Sequence, residues 1–272
     1  MTKLFFCMKW GTRYGADYVN RMYRGIARNV TGDFKLVCFT DDATGVRAEV
    51  DCRPLPPLDE RVPANLANKP WRKLTLWRAD VALDLTGQDA LVLDLDVVLT
   101  GKLDDFFTYE PGKYAVMENP TKLGSDVGNT SVFRLKVGSH PEIYERFAAD
   151  GEGVYAHEFR IEQELISARL GNGTAARVCG RNADVAKDPF YAGLNEQVFW
   201  PAEWVLSFKE HLLPAFPLRW WKDVELPKTA RVVIFHGKPD PDEAMEGRWP
   251  EKKVWKRIYK HVRPVSWVKE NW

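Results

Sequence analysis

The apolar run Ala90-Leu91-Val92-Leu93 ends abruptly in Asp94-Leu95-Asp96, and this transition constrains the fold more than any other stretch of the chain. A short apolar run bounded by polar and turn-forming residues reads as a buried strand. Successive strand residues face opposite sides, so Asp94 and Asp96 emerge together while Leu95 turns back into the core. Two carboxylates at one strand end form a claw for a hard divalent cation, Mn²⁺ or Mg²⁺, that keeps positions open for phosphate oxygens. The same D-x-D also occurs as a plain strand exit with solvated carboxylates, and both readings stand at this point.

The flanking pattern alternates between strand and helix. Residues 4–8 and 34–39 are short apolar strands, and residues 16–29 carry Tyr18, Val19, Met22, Tyr23 and Ile26 on one helical face. Residues 46–52 read as a third strand, broken by Pro54-Leu55-Pro56-Pro57. Leu74, Trp77, Val81 and Leu85 recur at helical spacing over 71–85, and Thr86-Gly87 stops that helix. This order predicts an α/β fold with a mostly parallel central sheet covered on both faces. Ligands of such sheets bind at the carboxyl ends of the strands, where the two aspartates fall. The second half is loop-rich, with strands expected at 114–117, 130–135 and 231–235 and helices at 141–149 and 161–170.

With 272 residues and a formal net charge of +1, the chain can bury one large core and makes no global electrostatic case for nucleic acid. Its four cysteines lack metal-site spacing, and Cys7 and Cys38 sit in apolar runs, as expected of reduced thiols in a cytoplasmic protein. Residues 1–8 are too short for a signal peptide, and no stretch reaches 18 apolar residues.

His236-Gly237-Lys238-Pro239 follows the last apolar strand. An imidazole completes a Mn²⁺ site beside two carboxylates, Gly237 admits a close backbone approach, and Lys238 offers a point charge to a phosphate. A lone histidine at a strand end also serves as an ordinary structural residue.

Taken in order, these motifs resemble the GT-A glycosyltransferases, most closely family 8, the galactosyltransferase and glycogenin group. The resemblance rests on Lys9-Trp10-Gly11-Thr12-Arg13-Tyr14 after the first strand, Asp94 to Asp96, Asn129-Thr130-Ser131-Val132, Glu162-Gln163-Glu164 opening a helix, and His236-Gly237-Lys238. Lys238 follows Gly237 directly where the family spaces the two apart, and Glu162 stands where the family has Asp. The implied fold is a Rossmann-like nucleotide-diphospho-sugar transferase spanning 1–250. The implied reaction moves a sugar from a nucleotide diphosphate, UDP-sugar first, to a saccharide or glycolipid acceptor with retention of configuration.

The resemblance also implies roles. Asp94, Asp96 and His236 hold Mn²⁺ or Mg²⁺. Lys9, Trp10, Tyr14, Thr40, Asp41, Lys73 and Lys238 line the donor, with Tyr14 stacked on the base and Lys238 on phosphate. Glu162 and Gln163 hold the sugar or face its anomeric carbon. Plainer roles stand beside these: Tyr14 as a helix cap, Asp41-Asp42 as a turn, Lys73 on a solvated face. Two rivals remain. Haloacid-dehalogenase-like phosphatases share D-x-D with Asp94 as nucleophile and Asp96 beside it, but carry it on their first strand. The other is a non-catalytic sugar-nucleotide-binding protein.

Residues 251–272 contain seven Lys/Arg against two Glu, interleaved with Trp255, Ile258, Tyr259, Val262, Trp267 and Trp272. Such a tail either packs through a Val254, Trp255, Ile258, Val262 stripe or lies on an anionic membrane, placing the protein peripherally on the inner face.

Overall fold

The structure, a computed structural model, describes residues 2–272 apart from the side chains of Val254 and Arg257. Met1 and the Val254 side chain, both part of the expectations above, lie outside the described residues. A seven-stranded sheet of order β3-β2-β1-β4-β7-β6-β8 carries the fold, and a three-stranded sheet, β5-β10-β9, stands beside it. The large sheet comprises β1 (Lys3–Lys9), β2 (Phe34–Thr40), β3 (Asp51–Pro54), β4 (Asp89–Leu93), β6 (Tyr114–Glu118), β7 (Gly128–Lys136) and β8 (Gln197–Phe199). The small one comprises β5 (Val97–Leu99), β9 (Val205–Ser207) and β10 (Val232–Ile234). Strand β1 pairs in parallel with β2 and β4, β2 with β3, and β6 with β8, while β7 runs antiparallel to both β4 and β6.

Strand alternation divides the core. Leu4, Phe6 and Met8 of β1 face one cluster with Val92 and Phe133, and Phe5 and Cys7 face the other with Ile26 and Leu91. Phe5 and Phe6 are fully buried, each contributing about 1.5–3 kcal/mol. Helix α1 (Ala16–Asn29) covers the second face through Tyr18, Val19, Met22 and Ile26. Asp17 in its first turn and Arg28 in its last complement the helix dipole. Helices α2 (Pro141–Ala149), the single turn α3 (Gly151–Gly153), α4 (Glu162–Leu170) and α5 (Thr174–Cys179) follow, with α2 and α4 packed on the first face.

Two expectations need correction. Residues 71–85 form two 3-10 helices, Pro70–Trp77 and Leu83–Leu85, not an α-helix. Trp71, Leu74, Thr75, Leu76 and Trp77 are all buried, so burial surrounds the segment instead of following one stripe. Thr75 Oγ1 also donates locally to the Arg72 carbonyl at 2.8 Å, an alternative to helical pairing. The third strand starts at Asp51, since residues 43–50 are taken up by turns such as Val50 N–H to Arg47 O. The expected last strand forms β10, which pairs with β5 and β9 in the small sheet.

That second sheet gives the aspartates their setting. The Asp94 N–H extends the β4–β7 ladder to the Ser131 carbonyl at 2.9 Å, and the Phe235 N–H donates to the Asp96 carbonyl at 3.1 Å. Asp94-Leu95-Asp96 is therefore the turn by which the chain passes from one sheet to the other, with Leu95 buried in the core beneath.

The C-terminal elements α6 (Pro241–Met245) and α7 (Ser266–Asn271) close on the small sheet. Val262, Val265, Trp267 and Val268 share a cluster with Val98, Phe208, Val233 and Phe235. Trp272 meets Tyr18 edge-on at 4.8 Å. Trp255 and Ile258 are 59% and 60% exposed, so the expected stripe does not pack as a unit. All four cysteines are free thiols. Among the described residues, no helix is long and apolar enough to cross a membrane.

Candidate active site

A cleft of about 720 Å³ opens at the carboxyl ends of β1 and β4. It gathers residues from segments far apart in sequence, among them Trp10 to Tyr14, Lys73, Asp94 to Asp96, Asn129 to Ser131, Glu162 with Gln163, and His236-Gly237. Alternation on β4 and the tight turn after it aim both aspartates outward.

Each aspartate has a distinct partner. The Lys73 ammonium lies 2.7 Å from Asp94 and donates to the Thr130 carbonyl at 3.2 Å. Burial works against the charge of Lys73, but Asp94 and Glu162 outweigh it, so its pKa is raised. Asp96 accepts from the Tyr14 hydroxyl at 2.9 Å. Burial and the neighbouring Asp94 push its carboxyl up to about 7, against the pull of Tyr14 and Lys73. Burial, with Asp96 close by, also drives the Tyr14 phenol far upward, keeping it a neutral donor.

Glu162 is 1% exposed. Its Oε1 accepts from Thr130 Oγ1 at 2.8 Å, and its Oε2 is buried without a partner. Burial raises its pKa, with Lys73 opposing. A buried carboxyl oxygen left unpaired costs about 1–3 kcal/mol, which a hydroxyl-bearing ligand would recover. Gln163 lines the cleft beside it.

Asp94, Asp96 and His236 meet the expected metal in part. Their oxygen and imidazole chemistry suits Mn²⁺ or Mg²⁺, and the charge crowded at Asp94 and Asp96 is what a cation offsets. Their positions are less complete, because among the described residues no three His, Cys, Asp or Glu groups are arranged to hold one ion. His236 Nε2 is instead hydrogen-bonded to Ser207 Oγ at 2.7 Å. Burial, and then Lys209, lower the His236 pKa, so the ring is neutral and ligand-competent.

Lys9, Thr40 and Asp41 sit behind the cleft wall. Lys9 Nζ and Thr40 Oγ1 both donate to the Asp42 carbonyl, at 2.8 and 2.9 Å. Asp41 accepts from the Gly11 N–H at 2.9 Å, where Gly11 has φ +63°. These three shape the loop that presents Trp10 and Tyr14. Lys238 is likewise engaged, its ammonium 2.6 Å from both Asp240 and Glu243.

Asp240 and Arg13 were missed from the sequence. Asp240 is 4% exposed and accepts from Arg13 at 3.1 Å and Tyr14 at 3.3 Å, clasping the first loop to the last motif. Its N–H donates to Glu243 at 2.7 Å, and the string Asp240-Pro241-Asp242-Glu243 is a readable capping signal. Arg13 stands within the Lys9 to Tyr14 segment, but nothing local marks it as a partner of Asp240.

The fold is that of the GT-A transferases, the class the sequence motifs resemble. No family model matches the sequence, and no curated protein does. Among solved structures, the glycosyltransferase GlyE of Streptococcus pneumoniae TIGR4 is 14% identical over 88% of this chain and 56% of its own, with TM-score 0.51. The bifunctional glycosyltransferase WbbM is 8% identical over 88% of this chain and 47% of its own, with TM-score 0.50. The chain thus spans about half the length of these two. LgtC, in complex with donor and acceptor sugar analogs, aligns at 11% identity over 87% of this chain and 89% of its own, with TM-score 0.49.

Proposed function

We propose that the protein is a glycosyltransferase of the family 8 type, moving a sugar from a nucleotide diphosphate, UDP-sugar first, to a saccharide or lipid-linked acceptor with retention. The observation that carries this reading is the cleft itself. Paired aspartates, one held by Lys73 and one by Tyr14, stand opposite a buried Glu162 with a free oxygen, on a fold shared with glycosyltransferases.

Trp10 and Tyr14 line the cleft as the aromatic residues for a base, and Tyr14 is steadied by Tyr18 at 4.6 Å and by the Arg13 guanidinium at 4.8 Å from its ring. Asp94 and Asp96 would hold Mn²⁺ or Mg²⁺, with His236 joining once Ser207 releases it. When bound, the cation would stabilise the negative charge that develops on the departing diphosphate. That leaving group needs no proton, so no protein general acid is required, unlike in glycoside hydrolysis. Glu162 and Gln163 orient the transferred sugar. The phosphatase alternative places D-x-D on the first strand, whereas here it ends β4.

A peripheral membrane contact is part of the same reading. Trp220 donates to the Ile258 carbonyl at 3.0 Å and stacks on His261 at 4.0 Å. This joins two segments that leave Phe216, Leu218, Trp221, Trp255 and Ile258 exposed. An aromatic patch beside a lysine-rich tail is complementary to an anionic lipid surface.

The test is UDP release from UDP-hexoses with Mn²⁺, for the intact protein and for Asp94→Ala and Asp96→Ala. Turnover that both substitutions abolish is expected. Absence of turnover and of nucleotide binding across UDP-, GDP- and dTDP-sugars would overturn the reading.

A further inference from the structure

We propose that Lys209, rather than Lys238, supplies the protein cation that meets the diphosphate of the donor. The assignment rests on the nucleotide-sugar reading above and adds to it a residue on a different element. Lys238 is poorly placed for the task. Its ammonium bridges Asp240 and Glu243 at 2.6 Å each, within the capping arrangement of α6. Two carboxylates already neutralise it, and a phosphate would have to displace both.

Lys209 differs in each respect. It belongs to the π-helical turn Phe208–Leu212 that follows β9. Its ammonium reaches Gly237, where a Cβ added to that glycine would stand 3.1 Å from Nζ. Gly237 lines the cleft beside His236, and its φ of +74° favours glycine. The ammonium therefore lies against the glycine, just behind the His236-Gly237 wall of the cleft. Among the described residues, Lys209 makes no hydrogen bond and no ion pair. Burial lowers its pKa and the Lys260 ammonium adds to that, while Glu210, Asp240 and Asp96 oppose it only at longer range.

The turn that carries Lys209 is firmly set. Phe208 is fully buried and stacks on Phe235 at 4.4 Å. Ser207 Oγ accepts from the Glu210 N–H at 3.2 Å while bonded to His236. One hydroxyl thus links the Lys209 turn to the imidazole of the last motif. A half-buried ammonium without a counter-ion, held against a backbone that lets a ligand approach, fits a phosphate as a point charge.

The experiment is calorimetric titration of the full chain with UDP and with uridine, with and without Mn²⁺, for the intact protein, Lys209→Met, Lys209→Arg and Lys238→Met. A charge-assisted contact predicts a UDP loss of about tenfold or more in Lys209→Met with uridine affinity unchanged, and retention in Lys209→Arg. Lys238→Met is expected to keep UDP affinity within about threefold. Unchanged UDP affinity in Lys209→Met overturns the assignment alone, as does a UDP-specific loss in Lys238→Met instead. An equal loss for uridine in Lys209→Met makes the role structural and also overturns it. An intact protein that binds neither UDP, GDP nor dTDP removes the nucleotide reading on which the assignment stands.

Discussion

Tyr14 donates its phenolic hydrogen to Asp96 across 2.9 Å, tying the loop after β1 to the turn that joins the two sheets. The same hydroxyl lies 3.3 Å from Asp240, so one phenol touches the D-x-D motif and the end of the His236 motif. Tyr14→Phe removes both contacts while keeping the ring. Stacking on a base survives, but Asp96 loses the one hydrogen bond that lowers its pKa. The expected result is a rise in the pH midpoint of Mn²⁺-dependent UDP binding with little change in uridine affinity. An unmoved midpoint would separate Tyr14 from Asp96 in function.

Asp96 gives a second pH prediction, on stability. Its folded pKa of about 7 lies above the ordinary carboxylate value of about 3.9. Between these limits the folded state binds more protons than the unfolded state, so stability falls as pH rises from roughly 4 to 7 and stays reduced above. The effect is on the order of a few kcal/mol at most. Asp96→Asn removes the charge and can still accept from Tyr14. Metal-free melting curves should show Asp96→Asn above the native chain at pH 8 and the gap narrowing through pH 5 to close near pH 4, in line with the titration window. A constant gap would mean that Asp96 does not titrate there.

Lys73 is the cation internal to the site. Lys73→Met leaves Asp94 and Asp96 facing each other without it. Breaking a buried pair costs about 3–5 kcal/mol, and the partial exposure of Asp94 favours the lower end. Lys73→Met with Asp94→Asn should recover part of that loss, since it removes the stranded charge. A double-mutant cycle on urea midpoints checks the coupling, and strict additivity would show that the pair is not energetically linked.

Glu162 should separate binding from chemistry. Its Oε2 is buried without a partner while Thr130 holds the other oxygen, and the residue lines the cleft. Glu162→Gln keeps the Thr130 bond, and a role at the sugar predicts turnover reduced by about 100-fold with UDP affinity nearly intact. Parallel losses of turnover and UDP affinity would place Glu162 in nucleotide binding.

What the sequence revealed of this site follows from how local each signal is. The β4 run, the outward aspartates and the buried Leu95 depend on alternation within a few residues, and they stand as read. Leu74, Trp77, Val81 and Leu85 matched a helical period, yet Trp71 and Thr75 are buried as well, and packing on all sides overrode it. The small sheet was hard to see because β5, β9 and β10 have three residues each. Lys238 and Lys209 show the limit most clearly. A lysine beside His-Gly invites a phosphate, but only three dimensions show that Asp240 and Glu243 hold it and that a residue 29 positions upstream comes to Gly237.

The membrane prediction is altered by the way the tail divides. Removing all of 251–272 would take away Val262, Val265, Trp267 and Val268, which are buried against the small sheet, and should unfold that region. Exposed residues offer a cleaner test. Trp221 and Trp255 are 69% and 59% exposed, so replacing both with Ala should shift melting by little, since surface changes are usually within about 0.5 kcal/mol. Vesicles containing anionic lipid should bind the native chain more tightly than neutral ones. Salt should weaken that binding, because each Lys or Arg near the surface contributes about 1 kcal/mol that ions screen. The double variant should lose most of the remaining, salt-resistant part, which comes from tryptophan burial at the interface. Co-sedimentation at two salt concentrations measures both terms, and equal binding by native and variant chains would end the case for the aromatic patch as an anchor.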